Sequence, residues 1–276
     1  MAIKDILLTS LSYPNPTPVS MIEGAIALAT TLNTHIAAIS CETHVEVPGS
    51  FLSLGTVGGL IAAEAHQSRK NAQALLAAFD EAAARAGVPH ETILERCKIS
   101  EVANRFVEYA RLRDLTVVPK GSFEDQWMVE ALIFGAGRPI LVLPQLSRPF
   151  ELDTVLVGWD FGAAAARAVA DAIPLLEQAK QVHILTVTNE KAFDSNRSAE
   201  ELAKNLSRHG IDVVVDKVDA AGRPVGDVLK MHAAHLNADL LVMGAYGRHS
   251  RLREFVLGGV TDELLRSSPL PVLFSH

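Results

Sequence analysis

Short runs of apolar residues recur along the chain, and longer Ala- and Leu-rich stretches separate them. Continuous runs of Val, Ile and Leu are typical of strands in a parallel sheet that is covered on both faces. We therefore predict strands at 4–10, 35–41, 87–99, 115–119, 138–144, 153–160, 182–188, 210–220, 240–244 and 270–276. The stretches between them predict helices at 19–32, 59–87, 101–114, 162–179, 196–209 and 224–239, and a further helix precedes the last strand of each half.

The order β-α-β-α-β-α-β-α-β occurs twice in this pattern. It predicts an α/β protein made of two tandem doubly wound parallel-sheet domains, with right-handed crossovers that cover both faces of each sheet. The join falls in the polar segment 145–151, which contains Pro149 and has no periodic pattern. We place the domains at 1–147 and 148–276. The halves differ most at 42–58, where the first carries a long loop that contains glycine.

Composition narrows the range of partners. The chain has 276 residues and a formal net charge of −7, which argues against broad electrostatic binding to nucleic acid or to an anionic membrane. Its two cysteines, Cys41 and Cys97, provide no disulfide framework. We see neither a signal-peptide pattern nor an apolar stretch of the ~20 residues that a membrane span requires. The expectation is a cytoplasmic protein that binds neither nucleic acid nor membrane.

Candidate ligand-binding residues cluster after the strands of the second half. In an open parallel sheet, ligands lie beyond the carboxyl ends of the strands. Asp160 follows the first strand of this half, and glycines and arginines follow the fourth. Glycines permit close backbone approach, and free amides at a helix start attract phosphate oxygens, to which arginine adds charged hydrogen bonds. The residues concerned are Gly244, Gly247, Arg248, Arg251, Arg253, Gly258, Gly259, Val260 and Thr261.

The segment 240–274, LLVMGAYGRHSRLREFVLGGVTDELLRSSPLPVLF, resembles the C-terminal signature of the universal stress protein family. That family carries Gly-x2-Gly-x9-Gly-Ser/Thr between its fourth strand and the following helix. Residues 226–247 and VLVGWD at 155–160 are similar to it as well. The resemblance covers the second half closely, and it extends to the first half more loosely through the repeat. It implies two Rossmann-like (flavodoxin-like) domains, each with strand order 3-2-1-4-5.

The resemblance also implies ligands and assembly. Family members of the ATP-binding kind bind ATP or another adenine nucleotide, with or without Mg²⁺. Adenine and ribose would lie near Asp160, and backbone groups at Val187 or Thr188 would help to hold the base. The triphosphate would lie along Gly244, Gly247, Gly258 and Gly259, beside Val260, Thr261, Arg248 and Arg251. A homodimer of whole chains is also implied, as is a pseudo-dimer within the chain that is joined through the strands at 140–143 and 272–274.

The second half departs from the family pattern in two ways. Ten residues, Arg248–Leu257, separate Gly247 from Gly258 where the pattern has nine, and Gly259 occupies the position of the hydroxyl residue. A loop can absorb the extra residue, whereas in a helical turn it would rotate everything beyond it by about 100°. The spacing can also be read from Gly247 to Leu257. Each reading leaves backbone amides for phosphate and removes the side-chain donor of the motif.

The first half lacks the corresponding residues. Thr9-Ser10-Leu11 stands where an Asp would close the first strand, and Glu124 and Asp125 follow Lys120-Gly121 where the second half has arginines. Carboxylates there would repel phosphate. We therefore expect no nucleotide in the N-terminal domain.

Two candidates in the second half have simpler structural explanations. Asp160 is suited to cap the following helix as well as to contact a ligand. His232 and His235 lie three residues apart on one helix and could share a metal ion, but no third ligand is near in sequence. We expect a pair that faces solvent and no metal site.

The leading hypothesis is a nucleotide-binding regulatory or stress-response protein with at most slow hydrolysis. The sequence contains no Gly-x4-Gly-Lys-Ser/Thr loop, so the usual residues for phosphoryl transfer are missing. The alternative is a dimeric interaction scaffold that binds no nucleotide; the extra spacer residue and Gly259 favour it. A true ATPase is a weaker option, because it would require His249 or Asp160 to position a nucleophile.

Overall fold

The structure is a computed structural model that describes residues 2–44, 55–120, 125–146, 150–189, 199–246 and 259–276, without the side chains of 55–61. Within these ranges the strands are β1 (Asp5–Ser10), β2 (His35–His44), β3 (His90–Lys98), β4 (Leu115–Pro119), β5 (Ile140–Leu143), β6 (Thr154–Gly158), β7 (Gln181–Thr188), β8 (Val213–Asp219), β9 (Leu240–Gly244) and β10 (Val272–Ser275). The helices are α1 (Ser20–Leu32), α2 (Gly55–Ala86), α3 (Val102–Ala110), α4 (Gln126–Gly135), α5 (Ala163–Leu176), α6 (Ala199–Ser207), α7 (Val225–Leu236) and α8 (Val260–Ser267). None of these helices combines the length and the apolar character that a membrane span needs.

The chain divides into two compact units. The N-terminal unit is Ile3–Arg138, and the C-terminal unit is Pro139–His276 together with Ala2. In the N-terminal unit the strand order is β3-β2-β1-β4, and all pairs are parallel. The C-terminal unit has the order β8-β7-β6-β9-β10, which is 3-2-1-4-5 within that half. The α/β prediction with parallel sheets is therefore confirmed.

The fifth strand of the first half, β5, is assigned by its contacts to the C-terminal unit, where it pairs antiparallel with β10. The pairing aligns Val142 with Val272 and Ile140 with Phe274, so apolar residues that would otherwise lie at the edge of this sheet are buried. The domain boundary between 147 and 148 remains a prediction.

The central strands are buried on both faces, as their sequences predict. Val155, Leu156 and Val157 of β6 are completely buried. Successive strand residues point to opposite faces of the sheet, so three buried residues in a row require a covering layer on each face. The outer strands β3 and β8 are more exposed and carry charged residues.

A repeated aspartate shows which positions of the two halves correspond. The carboxylate of Asp114, just before β4, accepts hydrogen bonds from the backbone nitrogens of Lys4 (2.9 Å) and Asp5 (3.2 Å). Asp239, just before β9, accepts one from the nitrogen of Thr154 at 2.9 Å. Asp5 and Thr154 are therefore equivalent, and counting forward from them places Leu11 at the position of Asp160.

Candidate functional site

Asp160 stands two residues beyond β6 with its carboxylate exposed to solvent. Its Oδ1 accepts a hydrogen bond of 2.8 Å from the backbone nitrogen of Gly162, the residue that caps α5. The predicted capping role is thus partly met, because the bond lies just ahead of the helix. The second carboxylate oxygen is left for other partners, and Asp160 can shape the turn and contact a ligand together.

The start of α5 lies directly against the end of β9, and Gly244 permits this contact. A Cβ built on Gly244 would lie 2.5 Å from the carbonyl carbon of Ala164 and closer still to the backbone nitrogen of Ala165. Any side chain at this position would therefore overlap the backbone of α5. The glycine brings the positive N-terminal end of α5 to the carboxyl end of β9.

The start of α8 is held to the same edge by Thr261. The Oγ1 atom of this buried residue accepts a hydrogen bond of 3.2 Å from the backbone nitrogen of Tyr246, two residues after β9. The Thr261 hydroxyl oxygen therefore joins the loop to the helix. Val260, the first residue of α8, is half-buried beside it.

Gly259 caps the N-terminus of α8. It has extended backbone (φ −88°, ψ 170°), makes no side-chain capping bond, and among the described residues no atom lies within 4 Å of the place where a Cβ would stand. The first backbone amides of a helix have no partner inside it. With the helix dipole they favour an anion.

Val187 and Thr188 close β7 beside this edge. Val187 is buried, and Thr188 is half-buried with its Oγ1 donating to the carbonyl oxygen of Val218 at 3.4 Å. The carbonyl oxygen of Thr188 accepts a bond of 2.9 Å from the nitrogen of Ala220. The Thr188 carbonyl is thus already paired with the segment that follows β8, and base contacts at Val187 and Thr188 stay predictions.

The described residues therefore bring together Asp160, Gly244, Gly259, Val260 and Thr261 around the carboxyl ends of β6 and β9. Two helix N-termini, those of α5 and α8, meet at this edge. The remaining candidates lie outside the described residues: Gly247, Arg248, His249, Arg251, Arg253 and Gly258.

The corresponding edge of the N-terminal unit is filled. Buried Leu11 stands at the position of Asp160. Beside it, Ser68 of α2 lies 2.9 Å from the hydroxyl of Ser12 and 2.8 Å from that of Thr43, and its Oγ also accepts from the nitrogen of Thr43 at 2.9 Å. This hydroxyl cluster (Ser12, Thr43, Ser68) is buried, and its members satisfy one another.

The C-terminal unit also contains a polar cluster that the sequence analysis did not predict, away from the carboxyl ends of its strands. One carboxylate oxygen of Asp216 (β8) is hydrogen-bonded to both His183 of β7 (2.7 Å) and His232 of α7 (3.0 Å). Burial raises the pKa of Asp216, but these two bonds outweigh it and bring the pKa below its ordinary value. His232 thus turns toward the sheet, whereas His235 is exposed. The sequence feature that could have indicated this cluster is the charged Asp216 within the apolar pattern of β8.

Comparison with known proteins gives a family for the C-terminal half. Residues 151–276 match the model of the universal stress protein family. No curated protein matches the chain in sequence.

Solved structures extend the likeness to the whole fold. A universal stress protein from Archaeoglobus fulgidus DSM 4304 is 16% identical, with a TM-score of 0.73 over 98% of this chain and 95% of the other. A protein of unknown function from Pseudomonas aeruginosa PAO1 is 14% identical, with a TM-score of 0.58 over 99% of this chain and 92% of the other. At this identity the likeness concerns the fold alone.

Proposed function

Because residues 151–276 of this chain belong to the universal stress protein family, we propose that the C-terminal half binds an adenine nucleotide, ATP in the first place, and serves a regulatory or stress-response role in the cytoplasm. The observation that carries the proposal is the meeting of two helix N-termini at the end of β9, where no described atom lies within 4 Å of a Cβ placed on Gly259. The first backbone amides of two helices and the positive ends of their dipoles are suited to phosphate oxygens.

Asp160 supplies the opposite end of the proposed site. An exposed carboxylate beyond β6 accepts hydrogen bonds from sugar hydroxyls, and it repels phosphate. Phosphates at the helix starts and ribose at Asp160 would therefore orient the nucleotide in one direction. The loop between Tyr246 and Gly259 carries Arg248 and Arg251, which we propose pair with the phosphates.

The site supports binding better than catalysis. The sequence lacks a Gly-x4-Gly-Lys-Ser/Thr loop, and within the described residues no group of three metal-binding side chains lies at this edge. We expect phosphate release well below the roughly 1–100 s⁻¹ of kinases. ATP then acts as a ligand that sets the state of the protein.

The second candidate, an interaction scaffold without nucleotide, is favoured by one observation. The Thr261 side chain is buried where its oxygen accepts from the Tyr246 nitrogen, and Gly259 has no side chain that would offer a hydroxyl to a phosphate. The motif's side-chain hydroxyl is then missing from the phosphate end of the site.

The experiment combines mass spectrometry of nucleotide released from the purified chain with calorimetric titration of ATP and AMP. Asp160→Ala should weaken binding about tenfold or more, because charged hydrogen bonds are lost. Asp219→Ala is the matched control, since Asp219 Oδ1 accepts from the nitrogen of Ala221 at 2.8 Å in the same two-residue turn. It should change the affinity less than twofold.

A gain-of-function variant sharpens the test. Gly259→Ser adds the missing hydroxyl in open space and should tighten ATP binding about three- to tenfold, while Gly259→Ala should not. If neither the wild type nor Gly259→Ser releases nucleotide or gives a heat of binding, the result supports the interaction scaffold instead. Fast phosphate release that Asp160→Ala abolishes would make the chain an ATPase.

A further inference from the structure

The cluster of His183, Asp216 and His232 has the composition and spacing of a metal site. Its ligand atoms all lie within 4.8 Å of one another, and among the described residues it is the one group of three His, Cys, Asp or Glu side chains placed this closely. Two imidazole nitrogens and one carboxylate form the donor set of three-ligand Zn²⁺ sites. Ligands about 2.0–2.1 Å from a tetrahedral ion lie about 3.3 Å apart, so an ion would lengthen the contacts of 2.7 and 3.0 Å with Asp216 and would set the two imidazole nitrogens, which lie within 4.8 Å of each other, at that same separation.

The fold arranges these side chains on three elements. In the β7–β8 register His183 aligns with Val214, and Asp216 lies two residues further on, so both side chains point to the same face. Helix α7 covers that face and brings His232 to the same carboxylate oxygen. The side chains are largely buried, with 10% of His183, 23% of Asp216 and 17% of His232 exposed. Solvent thus reaches the cluster on one side.

Gln181 fixes the orientation of the His183 ring by a hydrogen bond. Groups around a metal site fix the ligating side chains in the same way. Its Oε1 lies 3.0 Å from His183 Nε2 and accepts a hydrogen bond from that nitrogen. A neutral His183 then carries its only proton on Nε2, and its Nδ1 lone pair faces Asp216 at 2.7 Å. Two acceptors at this distance repel each other unless a second proton or a cation lies between them. An acceptor on the far nitrogen is the arrangement found around ligating histidines.

The N-terminal unit shows that the fold itself does not need this cluster. The register places Ala37 at the position of His183 and Ile93 at that of Asp216. The corresponding helix, α3, buries only apolar side chains within the unit: Val102, Ala103, Phe106, Val107 and Ala110. Burying polar groups costs free energy unless they are satisfied. The second half nevertheless places polar side chains at these three positions, and they contact one another.

We propose that His183, Asp216 and His232 bind a divalent transition-metal ion of the Zn²⁺ class, which ties α7 to β7 and β8. Three protein ligands leave one coordination position for water, as in other sites with three ligands. The ion replaces the proton between Asp216 and the imidazoles, so binding releases protons and weakens as the pH falls. The proposal is independent of nucleotide binding, because all three residues lie away from the carboxyl-end edge.

The test uses the full chain after treatment with EDTA. Co²⁺ titration followed by visible absorption, with Zn²⁺ competition and calorimetry, should give one tight site per chain. His232→Gln and Asp216→Asn should each weaken it about 100-fold or more. His235→Gln is the matched control, since this exposed histidine lies one turn along the same helix; it should change the affinity less than twofold.

Stability gives an independent readout. Zn²⁺ should raise the unfolding midpoint of the wild type and of His235→Gln, and should leave that of His232→Gln unchanged. If His232→Gln fails to fold, Gln181→Ala decides, with an affinity about tenfold weaker. Absence of saturable binding, equal binding in His232→Gln, or loss of binding in His235→Gln would overturn the proposal. A midpoint that responds to pH but not to metal would show that the cluster holds only a proton.

Discussion

At the end of β1 the N-terminal unit buries Leu11, whereas at the end of β6 the C-terminal unit exposes Asp160 at the equivalent position. At the neighbouring strand ends, Cys41 and Val187 also correspond, and both are buried. Helix α2 then places Ser68 over the first edge. The two halves share strand order and the repeated aspartates Asp114 and Asp239, but one edge is closed by its own side chains and the other faces solvent.

The comparison shows where a repeated fold is free to diverge. Residues inside the strands must pack against layers on both faces of the sheet, so both halves keep apolar runs there. The residues beyond the strands carry little of the core and are free to serve a ligand or to fill the space. Polar groups that would contact a ligand in one half bond to one another in the other.

The largest effect should come from Gly244→Ala, because the added Cβ overlaps the backbone of α5. We expect a loss of about 3 kcal/mol in the free energy of unfolding of the C-terminal unit. The chain has two tryptophans, one in each unit, so Trp159 fluorescence in a Trp127→Phe background reports this unit during denaturant unfolding. Gly259→Ala, at the N-cap of α8 and with no described atom within 4 Å of the added Cβ, should cost about 1 kcal/mol at most, because Ala is a weaker N-cap residue than Gly. Equal losses in the two variants would mean that α5 does not rest on Gly244.

The next effect tests the filled edge. Ser68→Ala should destabilise the N-terminal unit by about 2 kcal/mol, because the buried nitrogen of Thr43 loses its acceptor. Trp127 fluorescence in a Trp159→Phe background measures it. Ser20→Ala, at an exposed serine that begins α1 in the same unit, should stay within about 0.5 kcal/mol. ATP binding by the Ser68 variant should equal that of the wild type, and a change would contradict the assignment of the nucleotide to the other half.

The smallest effect should be found at the thiols. Burial, and then the neighbouring Cys97, raise the pKa of Cys41, and burial raises that of Cys97, so at pH 8 both remain protonated. The thiolate is the reactive form. A disulfide reagent should therefore label neither cysteine in the native chain and both in denaturant. Rapid native labelling of Cys41 in a Cys97→Ser variant would show that the end of β2 is open.

The architecture was predictable from the sequence because a strand that is buried on both faces of a sheet consists of an unbroken run of apolar residues. The runs at 153–160 and 240–244 became β6 and β9 with small changes at their ends. The position of Asp160 followed from the same logic, since a polar residue after such a run lies at the sheet edge. The close contact at Gly244 was not predictable from spacing, because it depends on where α5 begins.

The histidine cluster escaped sequence reasoning for a different reason. His183, Asp216 and His232 are far apart along the chain, and only the register of β7 on β8 and the packing of α7 bring them together. The expectation of a solvent-facing histidine pair was wrong for His232 only. The rings of His232 and His235 lie side by side with centroids 6.4 Å apart, as their helical spacing predicts, but His232 is largely buried and contacts Asp216, whereas His235 is exposed.

The antiparallel pairing of β5 with β10 has a practical consequence for anyone who expresses the second half alone. A fragment that starts at residue 148 would leave β5 behind and expose Val272, Leu273 and Phe274 along an open strand edge. We expect such fragments to associate through that exposed edge and to aggregate. A truncation that begins ahead of Ile140 retains β5 and its pairing with β10.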